Sequence, residues 1–210
     1  YNYTSLVKYQ NNKIIISKKD VRAKKTILKG SVLDIINAKN KDTFLEIGSC
    51  DFQTLNHFSD HGWQGAIVEP MKKYLNNIPQ KPNVHYLNYA VDNKVGTRTL
   101  FHASDETVKE DKDFAGMSSF LPPRPAYEVL TEETLVNTIT FEKIFELTGF
   151  TQIDYLKIDV EEYDLELLKI FPFHIIKPAF IKIEYWHLGH EPFVDILEKQ
   201  GYHCEISDRD

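Results

Sequence analysis

Residues 43–49 read Thr-Phe-Leu-Glu-Ile-Gly-Ser. A short apolar run closed by Gly48 is the pattern of a strand buried on both faces of a parallel sheet. The rest of the chain supplies the alternation such a sheet needs. Helical spacing through Leu55 and Phe58 stops near Gly62, and Ala66–Val68 is a second strand ending in Glu69-Pro70. Met71–Asn77 is a short helix, Val84–Val91 a third strand, and Thr97–Ala103 alternates like a hairpin partner. Ser104–Tyr127 is expected to be a long loop, mobile without ligands and closing over a binding site when ordered. Beyond it come Val136–Thr140 (strand), Phe141–Leu147 (helix), Ile153–Val160 (strand) and Asp164–Phe171 (helix, stopped by Pro172). Ala179–Tyr185 is a strand, Glu191–Gln200 a helix with Gly201 as its cap, and Tyr202–Ile206 a last strand. Upstream, Ser31–Lys39 is a short amphipathic helix with Ser31 as N-cap. The expected class is therefore α/β: a mostly parallel, doubly wound sheet with helices on both faces.

Composition fits that reading. The 210 residues suffice for one α/β domain with a sizeable core. Hydrophobic residues at 42% and charged residues at 27% exclude wholesale disorder. No run approaches the ~18–20 apolar residues of a membrane helix. The first ten residues contain no signal-peptide core and no initiator Met, so the chain reads as mature, trimmed or cut from a longer polypeptide. Cys50 and Cys204 are too few for a disulfide framework, which points to a reducing, cytoplasmic setting. A net charge of −6 argues against a nucleic-acid partner. The charge is uneven. Residues 1–30 hold eight basic side chains against Asp20 alone. Residues 1–41 are accordingly read as a basic N-terminal arm and lead-in helix, and 42–210 as the single folded domain.

In a doubly wound sheet, ligands sit at the carboxyl ends of the strands. Gly48 there lets backbone approach a ligand. Glu69 ends the second strand at the offset where a carboxylate accepts hydrogen bonds from ribose hydroxyls. Together they indicate an adenosine-containing cofactor. The full G-x-G-x-x-G is absent, and Asp51 would repel a pyrophosphate. A cationic cofactor without phosphates, S-adenosylmethionine, fits better than a dinucleotide.

E-I-G-S at 46–49, E-P at 69–70, N-Y-A-V at 88–91, G-M-S-S-F at 116–120 and I-D-Y-L-K-I-D-V-E at 153–161 occur in this order. In this the chain resembles the FkbM-type methyltransferases over roughly residues 42–185. The resemblance implies a Rossmann-like class I fold and O-methylation with S-adenosylmethionine. It implies that Glu46, Gly48 and Ser49, with Asp51 in the same loop, line the methionine part of the cofactor. Glu69 would hold the ribose, Pro70 and Met71 would lie against the adenine, and the backbone at Ala90 and Val91 would close that pocket. Ser118 and Ser119 would lie near the cofactor or acceptor. Two departures stand out: the family's second glycine in the first loop is replaced by Asp51 or Phe52, and the glycine after D-V-E by Glu162.

Asp159 sits where its strand meets the cleft. Transfer to oxygen needs a hydroxyl attacking a cationic methyl, and carboxylates favour the cation and can take the proton. Asp159 and Glu161, with His187 as a base neutral at pH 7, are the catalytic candidates. Asp159 and Glu184, at adjacent strand ends, could hold a hard cation such as Mg²⁺ or Mn²⁺. Tyr127, Tyr185 and Trp186 are candidates for an acceptor pocket, since aromatic faces pack on the C–H faces of sugars. The family resemblance favours a sugar hydroxyl, with a deoxyhexose such as rhamnose or fucose in a glycan as the expectation. A fused or associated glycosyltransferase domain would suit that setting. A nicotinamide-dependent oxidoreductase and a non-catalytic partner domain are the alternatives; cofactor binding separates the first and turnover the second.

Overall fold

The structure is a computed structural model that describes residues 5–8, 42–51, 55–122, 131–185, 188–204 and 206. The helix expected at 31–39 and most of the basic arm lie outside the described residues. Strands and helices are numbered in chain order. The strands are β1 (Ser5–Lys8), β2 (Thr43–Ile47), β3 (Gln64–Val68), β4 (Val84–Leu87), β5 (Ala90–Val91), β6 (Gly96–Ala103), β7 (Ser118–Ser119), β8 (Thr131–Ile139), β9 (Tyr155–Ile158) and β10 (Phe180–Ile183). The helices are α1 (Lys72–Asn77), α2 (Asp105–Glu110), α3 (Phe141–Thr148), α4 (Asp164–Ile170) and α5 (Glu191–Lys199).

The main sheet runs β1–β10–β9–β2–β3–β4. Its five inner-to-outer strands from β10 to β4 are parallel, and β1 pairs antiparallel with β10 at the edge. Both faces are covered. Leu45, Ile47, Leu156, Ile158 and Ile181 pack against residues of α3, α4 and α5 on one side. Phe44, Ile67, Tyr155 and Phe180 pack against Leu55, Phe58, Trp63 and Leu75 on the other. This is the expected α/β class. From β2 the chain winds outward to β3 and β4, then returns across β2 to β9 and β10. The order therefore reverses between β2 and β9, and the crevice at the carboxyl ends of those strands is where an open α/β sheet binds its ligand.

Several elements differ from the sequence reading. The strand expected over 84–91 is broken in two, with β4 in the main sheet and β5 in a second one. Asn88 stands at the break and donates from its amide to the carbonyls of Glu69 (2.9 Å) and Pro70 (2.8 Å). Those bonds turn the chain out of the sheet. The partner of residues 97–103 is β8, not the third strand, and β8 starts at Thr131 rather than Val136. The long loop after Ser104 contains a helix: Ser104 accepts the Thr107 N–H, and Asp105 and Glu106 occupy the first turn. Residues 123–130 lie outside the described residues. No strand is found at Tyr202–Cys204 or Ile206, where Tyr202 instead donates its hydroxyl to the Pro178 carbonyl at 2.6 Å. The edge next to β10 is filled by β1, from the segment read as a basic arm.

Candidate active site

Gly48 follows β2 in a left-handed conformation (φ 76°). A Cβ at this position would lie 1.9 Å from the carbonyl oxygen of Asp159, so only glycine lets the loops after β2 and β9 meet. The Asp159 N–H donates to the Ile47 carbonyl at 3.0 Å, and the Gly48 N–H to that of Val68 at 3.0 Å. The strand ends carrying Gly48, Glu69 and Asp159 are thereby laced together.

Glu69 is 4% exposed. One carboxylate oxygen accepts the Cys50 N–H (2.7 Å) and the other the Met71 N–H (2.8 Å). Burial pushes its pKa up to about 7, and the backbone N–H groups of Met71, Cys50 and Ser49 pull the other way. Beside it, Cys50, Met71, Tyr74 and Ala90 form a small buried apolar cluster. Val91 faces the larger core instead. Pro70 and Asp51 are half-buried, and the Asp51 carboxylate lies 3.5 Å from the Asn77 amide. Ser49 is buried and donates its hydroxyl to the Cys50 carbonyl at 3.1 Å.

Glu46 has a different setting from the one the family pattern implies. It is fully buried, accepts the Leu55 N–H at 3.2 Å and pairs with Lys157 at 3.1 Å. Lys157 also pairs with Asp159 at 3.2 Å. Burial opposes the Lys157 charge, but Asp159 and Glu46 together outweigh it and raise its pKa. The register aligns Glu46, Lys157 and Lys182 in one row across the sheet. Lys182 is pushed down to about 8 by burial and by the Lys157 charge. The charges of the L-K-I-D-V-E run are thus divided: Lys157 is an internal strut, while Asp159 and Glu161 lie beyond the strand.

Asp159, Glu161 and Glu184 come together, each offering a carboxylate oxygen within 4.8 Å of the others. Burial, then the charges of Glu161 and Asp159, pushes Glu184 up to about 9. Glu184 Oε2 is buried and has no hydrogen-bond partner among the described residues. Tyr185 is half-buried, with its ring edge-on to His190 at 5.9 Å. Tyr127, Trp186 and His187 lie outside the described residues. Ser118 and Ser119 form β7, and the Ser119 hydroxyl donates to the Glu161 carbonyl at 2.6 Å.

Residues 40–204 match the FkbM methyltransferase domain. The chain belongs to the FkbM methyltransferase family. No curated protein and no solved structure gives a significant match. Membership makes this FkbM domain a methyltransferase with S-adenosylmethionine as methyl donor, and decides against the nicotinamide-dependent alternative. No described helix of it is long and apolar enough to cross a membrane.

Sequence reasoning missed some residues of this FkbM site. Asn88 braces the Glu69-Pro70 turn; its signal was a polar amide inside an otherwise apolar strand. Asp92, which is buried, and the half-buried Arg98 and Tyr163 make a cluster joining the second sheet to the loop after β9. The Tyr163 hydroxyl donates to Asp92 (3.1 Å), and Arg98 donates to Tyr163 (2.9 Å) and Asp92 (3.1 Å). No local pattern announces that cluster.

Proposed function

We propose that the protein is an O-methyltransferase that moves the methyl group of S-adenosylmethionine to a sugar hydroxyl, with a deoxyhexose such as rhamnose or fucose in a glycan as acceptor. The observation that carries this reading is the convergence of Asp159, Glu161 and Glu184 beside Gly48, at the point where strand order reverses. The buried Glu69 supports the cofactor's place. Three backbone N–H groups, those of Cys50, Met71 and Ser49, bond to its carboxylate, which has about four acceptor sites and so keeps a lone pair for a ribose hydroxyl. The Cys50, Met71 and Ala90 cluster offers an apolar wall for the adenine.

S-adenosylmethionine held beside Gly48 and Glu69 would supply an electrophilic sulfonium methyl and would leave as the neutral thioether. Asp159 takes the hydroxyl proton as the new O–C bond forms. Lys157, 3.2 Å away, orients the Asp159 carboxylate. The charge of Glu161 favours the cationic methyl donor over its neutral product. Burial and its acidic neighbours favour the protonated form of Glu184, which limits repulsion within the cluster. The half-buried Tyr185 ring suits the C–H face of a sugar.

A divalent cation in the same cluster is a second reading, favoured by the unpartnered Glu184 Oε2. Asp159, Glu161 and Glu184 would hold it, and it would make the acceptor hydroxyl more acidic.

The test begins with calorimetry of S-adenosylhomocysteine binding. Labelled methyl donor with a panel of rhamnose- and fucose-bearing glycans then reads the acceptor. Asp159→Asn should lower turnover by ~10²-fold or more with little change in melting temperature. A fully active Asp159→Asn protein would sink the assignment. Loss of activity with EDTA and return with Mg²⁺ or Mn²⁺ supports the cation; survival of exhaustive chelation removes it.

A further inference from the structure

The loop after β9 has an unusual backbone. Glu161 and Glu162 are consecutive non-glycine residues with positive φ, 52° and 71°. A side chain at such φ crowds the adjoining carbonyl, so two in succession persist only when their surroundings hold them.

What holds them reaches in from the second sheet. The Ser119 hydroxyl donates to the Glu161 carbonyl at 2.6 Å, while the Leu121 N–H donates to the same hydroxyl at 3.2 Å and fixes its direction. Ser119 is placed by register, opposite Phe101 of β6. The next residue, Phe120, meets Tyr163 edge-on at 5.3 Å. The Arg98 guanidinium lies over both rings, 4.1 Å from the centre of Phe120 and 4.9 Å from that of Tyr163. Asp92, 3% exposed, accepts from Arg98 and from Tyr163. Beyond the loop, Asp164 accepts the Val160 N–H at 3.0 Å. Residues 160–164 are therefore gripped from both sides, while the like charges of Glu161 and Asp159 push the loop apart.

We propose that Ser119, backed by Phe120 and the Asp92–Arg98–Tyr163 cluster, is a positioning residue: it holds Glu161 in its left-handed backbone and keeps the Glu161 carboxylate beside Asp159 and Glu184, tying the order of the 118–120 segment to catalysis. The proposal rests on the reading of that acidic cluster as the site of methyl transfer. It gives Ser119 a partner in the protein itself, in place of direct contact with the cofactor. Contact between a bound acceptor and the 118–120 segment would then be felt at Glu161 through one hydrogen bond.

Four variants of the full chain test it: Ser119→Ala, Ser119→Thr, Glu162→Gly, and the pair Ser119→Ala with Glu162→Gly. The first readout needs no acceptor. Amide coupling constants of Glu161 and Glu162 report φ, and hydrogen exchange reports the order of residues 159–164. Ser119→Ala should lose the left-handed signature at Glu161 and exchange faster across that stretch, whereas Ser119→Thr keeps both as they are. With rhamnoside or fucoside acceptors, Ser119→Ala should lower kcat on the order of 10- to 10²-fold. Its KM for S-adenosylmethionine should stay unchanged. Adding Glu162→Gly should restore part of that kcat, because glycine takes positive φ without steric cost. A Glu161 backbone unchanged in Ser119→Ala overturns the proposal, as does a lower melting temperature with kcat intact. If the backbone shifts as expected but Asp159→Asn is fully active, the active-site reading has failed, and the positioning role falls with it.

Discussion

At the scale of single residues, the buried Glu69 and the half-buried Glu184 should set the pH behaviour. Glu69 rises from 4.5 to about 7 because burial penalises its charge. A ribose hydroxyl donates best to the ionised form, so binding must expel the proton. Affinity for S-adenosylhomocysteine should therefore increase as pH rises through about 7, with proton release visible in calorimetry across buffers of different ionisation heat. Affinity flat between pH 6 and 8 would mean that Glu69 does not face the cofactor. Glu184 rises from 4.5 to about 9, with burial first and then Glu161 as causes. An acid whose pKa is raised by folding binds its proton more tightly in the native state. Its contribution to stability is thus intact below about 4.5 and declines as pH climbs towards 9. Glu184→Gln removes that loss. In metal-free buffer the variant should match the parent near pH 4 and exceed it by about 2 kcal/mol or more at pH 8, read by thermal melting. Equal melting at both pH values would show that Glu184 is not held in this desolvated, acidic setting in solution.

At the scale of elements, the contact between the loops after β2 and β9 is the joint on which the site depends. Gly48→Ala should test it, since its Cβ would strike the Asp159 carbonyl. Gly62 is the control: its φ is 89°, and nothing lies within 4 Å of a Cβ there. Gly62→Ala should cost about 1 kcal/mol for the left-handed backbone alone. Gly48→Ala should cost that plus overpacking, roughly 3 kcal/mol or more, and should weaken cofactor binding as well. Similar melting temperatures for the two would mean that the close approach relaxes cheaply. What the sequence revealed follows the same division. β2, α3 and α4 were legible because their apolar periods are unbroken and Gly or Pro closes them. The division of 84–91 was not, because the Asn88 side chain makes it, bonding to residues 18 and 19 positions earlier. Asp159 and Glu184 could be found as charges at strand ends. The role of Lys157 could not, since its partner Glu46 is 111 positions away and becomes its neighbour only through strand register. Ser119 was visible as a serine pair, but its link to Glu161 depends on the antiparallel placement of β7 against β6.

At the scale of the whole molecule, chain direction at the sheet edge has a practical consequence. Because Ser5 stands opposite Ile183 and Lys8 opposite Phe180, β1 runs from the carboxyl end of β10 towards its amino end. The Ser5 end of β1 therefore lies on the side of the sheet where Glu184 follows Ile183. If the acidic cluster receives the acceptor, as proposed above, an affinity tag emerging beside Ser5 shares that doorway with it. Cleaving the tag should lower KM for a bulky glycan more than for a simple glycoside and leave KM for S-adenosylmethionine unaltered; equal acceptor KM values with and without the tag would remove the concern. The same doorway suits a tether. A linker of modest length fixed there would hold an attached acceptor near the cleft at millimolar effective concentration, so that capture becomes an intramolecular event and even a weakly bound sugar is presented often enough to be methylated.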